Sequence, residues 1–115
     1  MALAIKLRAR GFDVVSAGDG VTAMTVVNHE KPDAIILDLG LPGGDGFVVL
    51  QRLRSSVGTV SLPVIVVTAR PAETNRAQSM AQGAIAFLQK PVKTQELMMA
   101  LRKALPHLES LAPSL

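Results

Sequence analysis

Apolar residues follow two rhythms along this chain, and glycine and proline separate them. In the first rhythm they fall three or four apart: Leu3 and Leu7, then Val21, Met24 and Val27 or Asn28, then Phe47, Leu50 and Leu53, then Leu97, Met98 and Leu101. That spacing predicts helices over 3–10, 21–30, 47–54 and 94–104, with a less amphipathic one over 72–82. Gly11 and Gly83 stand where helix C-terminal caps belong, Asp19 and Thr94 where N-caps belong. Lys31-Pro32-Asp33 ends the second helix. The first segment also alternates at Leu3, Ile5 and Leu7, so a strand competes with the helix there.

The second rhythm is continuous. Residues 34–37, 62–67 and 84–88 are short apolar runs, and 12–17 is rich in β-formers. Continuous apolar runs mark strands covered on both faces, as in parallel sheets. Pro63 fits only the first positions of its strand. The glycine-rich stretch 39–46 is a loop. The order α-β-α-β-α-β-α-β-α implies right-handed βαβ units: an α/β fold with a parallel sheet and helices on both faces. The domain would occupy 1–104, and 105–115, with Pro106 and Pro113, would be a tail or linker.

Composition narrows the class. The chain has 115 residues and a mass of 12.1 kDa, with 49% hydrophobic and 18% charged residues. That is one domain with a core, not a disordered chain. There is no cysteine, so disulfides and thiolate chemistry are excluded. The net charge of +3 is a mild excess, and with three Phe but no Tyr or Trp the chain lacks the basic and aromatic surface of a direct nucleic-acid binder. No apolar run is long enough to span a membrane. Lys6 turns the N-terminus basic too soon for a secretory signal, which makes a cytoplasmic setting the expectation. His29 and His107 are isolated and suggest no metal site.

Ligands of such sheets bind outside the carboxyl ends of the strands. The polar residues there are Asp38, Thr68 and Lys90. Each alone has an ordinary explanation as turn former, core hydroxyl or solvated charge. Together, an acid, a hydroxyl and an ammonium at one sheet edge make a site for transferring a phosphoryl group onto a carboxylate. Asp38 would attack phosphorus, Thr68 would donate to one phosphoryl oxygen, and Lys90 would neutralise another.

Six stretches resemble the receiver domains of two-component response regulators: Gly11-Phe-Asp-Val-Val-Ser-Ala17, Lys31-Pro-Asp-Ala-Ile-Ile-Leu-Asp38, Leu41-Pro-Gly-Gly-Asp-Gly46, Pro63-Val-Ile-Val-Val-Thr-Ala69, Gly83-Ala-Ile-Ala-Phe87 and Lys90-Pro91. The resemblance covers about residues 3 to 104 and implies a flavodoxin-like sheet. It implies that Asp38 is the phosphoacceptor, Thr68 the switch hydroxyl, Phe87 the switch aromatic and Lys90 the phosphate-binding ammonium. It implies a cis bond at Lys90-Pro91, and Mg²⁺ bound by Asp38 and the Gly40 carbonyl. The partner would be a sensor histidine kinase or phosphotransfer protein, and the output surface would be formed by the last two helices and strands. Such a domain is a phosphoacceptor rather than a turnover enzyme.

One departure stands out. The family begins with a buried strand ending in acids, and this sequence has no such strand ahead of its first helix. The missing acids weaken the expected Mg²⁺ site and slow phosphoryl transfer. They make a degenerate receiver, acting only through protein binding and dimerisation, the alternative reading. The missing strand would be central. It predicts self-association through exposed strand edges, unless 12–16 slides against 34–37 or 1–7 becomes a strand. A phosphatase of the haloacid-dehalogenase type is disfavoured because Gly40 occupies the position of its second acid. A nucleotide binder is disfavoured because no phosphate loop follows a strand.

Overall fold

In a computed structural model, which describes residues 2–40 and 46–106, five helices surround a three-stranded parallel sheet. The elements are α1 (Ala2–Ala9), α2 (Gly20–Glu30), β1 (Ile35–Asp38), α3 (Gly46–Ser55), β2 (Val64–Thr68), α4 (Ala72–Ala81), β3 (Ala86–Gln89) and α5 (Thr94–Ala104). The sheet order is β1-β2-β3. Ile35 pairs with Val64 and Asp38 with Val67, while Ile65 pairs with Ala86 and Thr68 with Gln89.

β2 is the fully buried centre, and its alternation divides the core. Val64 and Val66 face one cluster with Ala23 and Val27 of α2 and Val49, Leu50 and Leu53 of α3. Ile65 and Val67 face the other, with Leu7 of α1 and Leu97, Met98 and Leu101 of α5. Period-two strands between period-3.6 helices produce this two-sided core.

Local signals account for most boundaries. The Asp19 carboxylate accepts the Thr22 N–H at 2.8 Å, capping α2, and Lys31 ends that helix in a left-handed conformation. Gly83 closes the turn after α4 with φ +95, a backbone conformation costly for any side chain. Leu50 and Leu53 are fully buried, and Phe47 packs partly against the same cluster.

Four expectations need correction. Residues 12–17 are not a strand, because no neighbouring strand takes up their backbone groups. Neither local repair occurs: no hydrogen bond joins that segment to β1, and residues 2–9 stay helical. Thr94 is the first residue of α5, and Lys93 holds the cap position with no side-chain cap bond. On α2 the buried face is Gly20, Ala23 and Val27, which leaves Val21 and Asn28 exposed. Most of the predicted loop, 41–45, and the tail from 107 lie outside the described residues.

Candidate functional site

The carboxyl ends of all three strands meet at one rim. Asp38 is the last residue of β1 and Thr68 the last of β2, and Lys90 follows β3 directly. The Lys90 Nζ donates to Asp38 Oδ2 at 2.6 Å, and the Lys90 backbone N–H donates to the Thr68 carbonyl at 2.8 Å. The three positions read from the sequence therefore converge. The Lys90-Pro91 bond is cis, as the resemblance implied.

Asp38 is held from both sides. Its second oxygen, Oδ1, accepts the Gly40 N–H at 2.9 Å. Burial pushes the carboxyl up, but the Lys90 and Gly40 hydrogen bonds and the charges of Lys90 and Arg70 outweigh it, leaving Asp38 below the ordinary carboxylate value. About a third of its side chain remains exposed (34%), so an incoming group can reach it. Gly46 is what lets α3 start so close to it. A Cβ there would lie 2.8 Å from the Asp38 carbonyl oxygen and closer still to the Leu39 backbone.

Thr68 is buried at 1% exposure, and its hydroxyl accepts the Arg70 N–H at 3.1 Å. No hydrogen bond joins that hydroxyl to Asp38 among the described residues. Phe87 is buried at 4% exposure in the cluster under α2 and α3, with the Arg76 guanidinium 5.1 Å from its ring centroid.

Three contributors escaped the sequence reading. Arg70 adds positive charge beside Asp38, and Gln89 fixes the Arg70 carbonyl at 3.1 Å. Arg76 sits over Phe87. The first could have been read from its position two residues after Thr68. The Arg76–Phe87 pair joins α4 to β3 and had no sequence signal.

The rim was also expected to bind Mg²⁺. Hard cations take several oxygen ligands, commonly including one or two carboxylates. No group of three His, Cys, Asp or Glu side chains suited to a metal exists among the described residues, and both Asp38 oxygens are engaged by donors. The described residues do not by themselves fit a divalent cation. No described helix is long and apolar enough to cross a membrane.

A small parallel α/β sheet with an acid, a hydroxyl and an ammonium at one rim defines a receiver-type signalling domain. Sequence comparison agrees: the family model of the response regulator receiver domain matches residues 1–102, and the chain belongs to that family. Response regulator PleD of Caulobacter vibrioides is 39% identical over 90 residues, 78% of this chain. The chain spans only 20% of that relative's length. A response regulator structure from Chloroflexus aurantiacus superposes with TM-score 0.86 at 32% identity, covering 91% of this chain and 86% of that one. The receiver domain of sensor histidine kinase PA1611 from Pseudomonas aeruginosa, described with a magnesium ion in its active-site cleft, superposes with TM-score 0.79 at 28% identity, covering 89% and 84%. The resemblance seen in the motifs is thus a family membership, and the chain carries a receiver domain, a signalling domain.

Proposed function

We propose that this chain is a phosphoryl-accepting switch, with Asp38 as the acceptor and a phosphohistidine of a sensor kinase or phosphotransfer protein as the donor. The observation that carries this reading is the 2.6 Å approach of Lys90 Nζ to Asp38 Oδ2 at the carboxyl rim of the sheet.

In the transfer, an Asp38 oxygen attacks phosphorus and an O–P bond forms. The P–N bond of the donor breaks, and its electron pair leaves on the imidazole nitrogen, which takes a proton from water. Lys90 places positive charge against the phosphoryl oxygens, and the low basicity of Asp38 keeps it ionised and ready to attack. Thr68, rotated from its Arg70 contact, offers its hydroxyl to another oxygen. Phe87, on the neighbouring strand with Arg76 of α4 over its ring, carries the change to the surface of α4, β3 and α5. The chemistry suits the reducing cytoplasm, where a cysteine-free signalling domain meets its kinase.

The test is intact-mass measurement after incubation with acetyl phosphate or phosphoramidate, with and without Mg²⁺. A mass gain of one phosphoryl group, absent in Asp38→Asn, is expected. No gain under either condition overturns the acceptor reading and leaves a receiver that works by binding alone.

A further inference from the structure

Two successive residues at the end of β3 grip the turn that carries Thr68. Thr68 pairs with Gln89 across the sheet. The Lys90 backbone N–H donates to the Thr68 carbonyl at 2.8 Å, and the Lys90 side chain goes to Asp38. The Gln89 side chain goes elsewhere: its Nε2 donates to the Arg70 carbonyl at 3.1 Å. The Arg70 N–H in turn donates to the Thr68 hydroxyl at 3.1 Å. A short chain of hydrogen bonds therefore runs from the Gln89 amide, through residue 70, to the Thr68 oxygen. β2 ends at Thr68 and α4 begins at Ala72, so residues 69–71 lie outside strand and helix. Turning the Thr68 hydroxyl toward Asp38 takes the acceptor away from the Arg70 N–H. A donor left without an acceptor is costly unless its peptide turns as well. The N–H and C=O of residue 70 flank one Cα, so that turn swings the carbonyl that Gln89 holds.

We propose that Gln89 is a positioning residue: it holds the Thr68 hydroxyl in its resting orientation and so restrains phosphoryl acceptance at Asp38. The effect on acceptance rests on the phosphoryl-accepting reading, whereas the restraint on Thr68 does not. Gln89 acts through Arg70 and Thr68. It is exposed, so water competes for its amide and the bond opens without disturbing the core. One such hydrogen bond shifts the balance between held and released turn by about two- to tenfold. That is enough to set a rate and too little to lock the turn. The residue type fits the task, because a carbonyl needs a donor and an uncharged amide supplies one without adding charge to the rim.

The experiment uses the full chain. Gln89→Met keeps the length of the side chain and removes the donor. Gln89→His keeps an N–H at similar reach and is mostly neutral at about pH 7.5. The first readout requires no phosphoryl donor. Hydrogen exchange of the Arg70 amide, followed by NMR, is expected to rise about two- to tenfold in Gln89→Met and to return toward wild type in Gln89→His. The Lys90 amide should stay unchanged in both. The second readout is the rate of mass gain with acetyl phosphate and Mg²⁺, expected to rise by a similar factor in Gln89→Met and to fall back in Gln89→His. In Thr68→Val, which lacks the hydroxyl, adding Gln89→Met should change that rate no further. The restraint is overturned if Arg70 exchange stays the same in Gln89→Met, if Lys90 exchange rises equally, or if both variants behave alike. Its effect on acceptance is overturned if Gln89→Met leaves the rate unchanged or lowers it, or raises it as much beside Thr68→Val. Should wild type and variants all gain no phosphoryl group, the acceptor reading falls and that effect with it, while Arg70 exchange still decides whether Gln89 holds Thr68.

Discussion

Lys90 and Asp38 are 52 residues apart in the chain, and their side chains are joined by a 2.6 Å ion pair at the rim of the sheet. The pair exists because β1 and β3 flank the same central strand in parallel, so their carboxyl ends cannot avoid one another. It holds the Asp38 carboxyl below its ordinary value and fixes a positive charge beside it at the rim.

The pair makes stability pH-dependent. The Asp38 carboxyl is lowered in the folded state, so its contribution is fully present above the unfolded value of about 3.9 and is lost as pH falls through the folded value. Both side chains are partly exposed, which limits the effect to about 1 kcal/mol or less. Thermal melts of the wild type and Asp38→Asn should differ at about pH 6, and the difference should shrink as pH falls through the lowered folded value. Asp19 is also lowered, by its cap on Thr22, but it is present in both proteins and cancels in the difference.

Phe87 and Arg76 should divide core from surface contributions. Phe87→Ala removes a buried ring and should cost about 3–5 kcal/mol. Arg76→Ala loses an exposed cation over that ring and should cost about 1 kcal/mol or less. A double-mutant cycle with Phe87→Leu, read by urea denaturation, should return a coupling of about 0.5–1 kcal/mol. A coupling of zero would show that the guanidinium does not bind the ring in solution.

Gly46 and Gly18 should respond oppositely to the same change. Gly46→Ala pushes a methyl into the backbone of Asp38 and Leu39, which has little freedom to yield, and should cost about 1–3 kcal/mol. Gly18→Ala meets nothing within 4 Å and should stay within about 0.5 kcal/mol. Denaturant midpoints of the two variants check this directly.

Arg54 ties three chain segments together. Its guanidinium donates to the carbonyls of Val60, Leu62 and Gly83, at 2.5, 2.8 and 3.2 Å, linking the entry to β2 with the turn after α4. Arg54→Met keeps most of the stem but leaves those carbonyls without their donor, and should cost about 2 kcal/mol or more. Hydrogen exchange should then rise around 60–62 and 83–85 before it rises in β2. Uniform exchange across the domain would argue against a local clamp.

Much of the fold was legible in sequence because it rests on local periodicity. Apolar spacing marked α2, α3 and α5 and favoured α1 over a competing strand, α4 was less amphipathic and closed by Gly83, and the continuous runs marked β1, β2 and β3. Parallel topology followed from alternation, and with it the rim where Asp38, Thr68 and Lys90 stand. The segment 12–17 looked like a strand for a sound local reason, since it is rich in β-formers. It failed as one because a strand is a pairing, and no single segment's composition can supply its neighbour.

What the sequence determined by itself was the identity and order of the elements and the chemistry at their ends, because turn residues and hydrophobic period act within a few residues. What only the tertiary structure decided was which donors occupy both oxygens of Asp38, which cation covers Phe87, and that residues 12–17 do not pair as a strand. Those are relations between residues distant in the chain, fixed by how two layers of helices close on one sheet, and no local pattern encodes them.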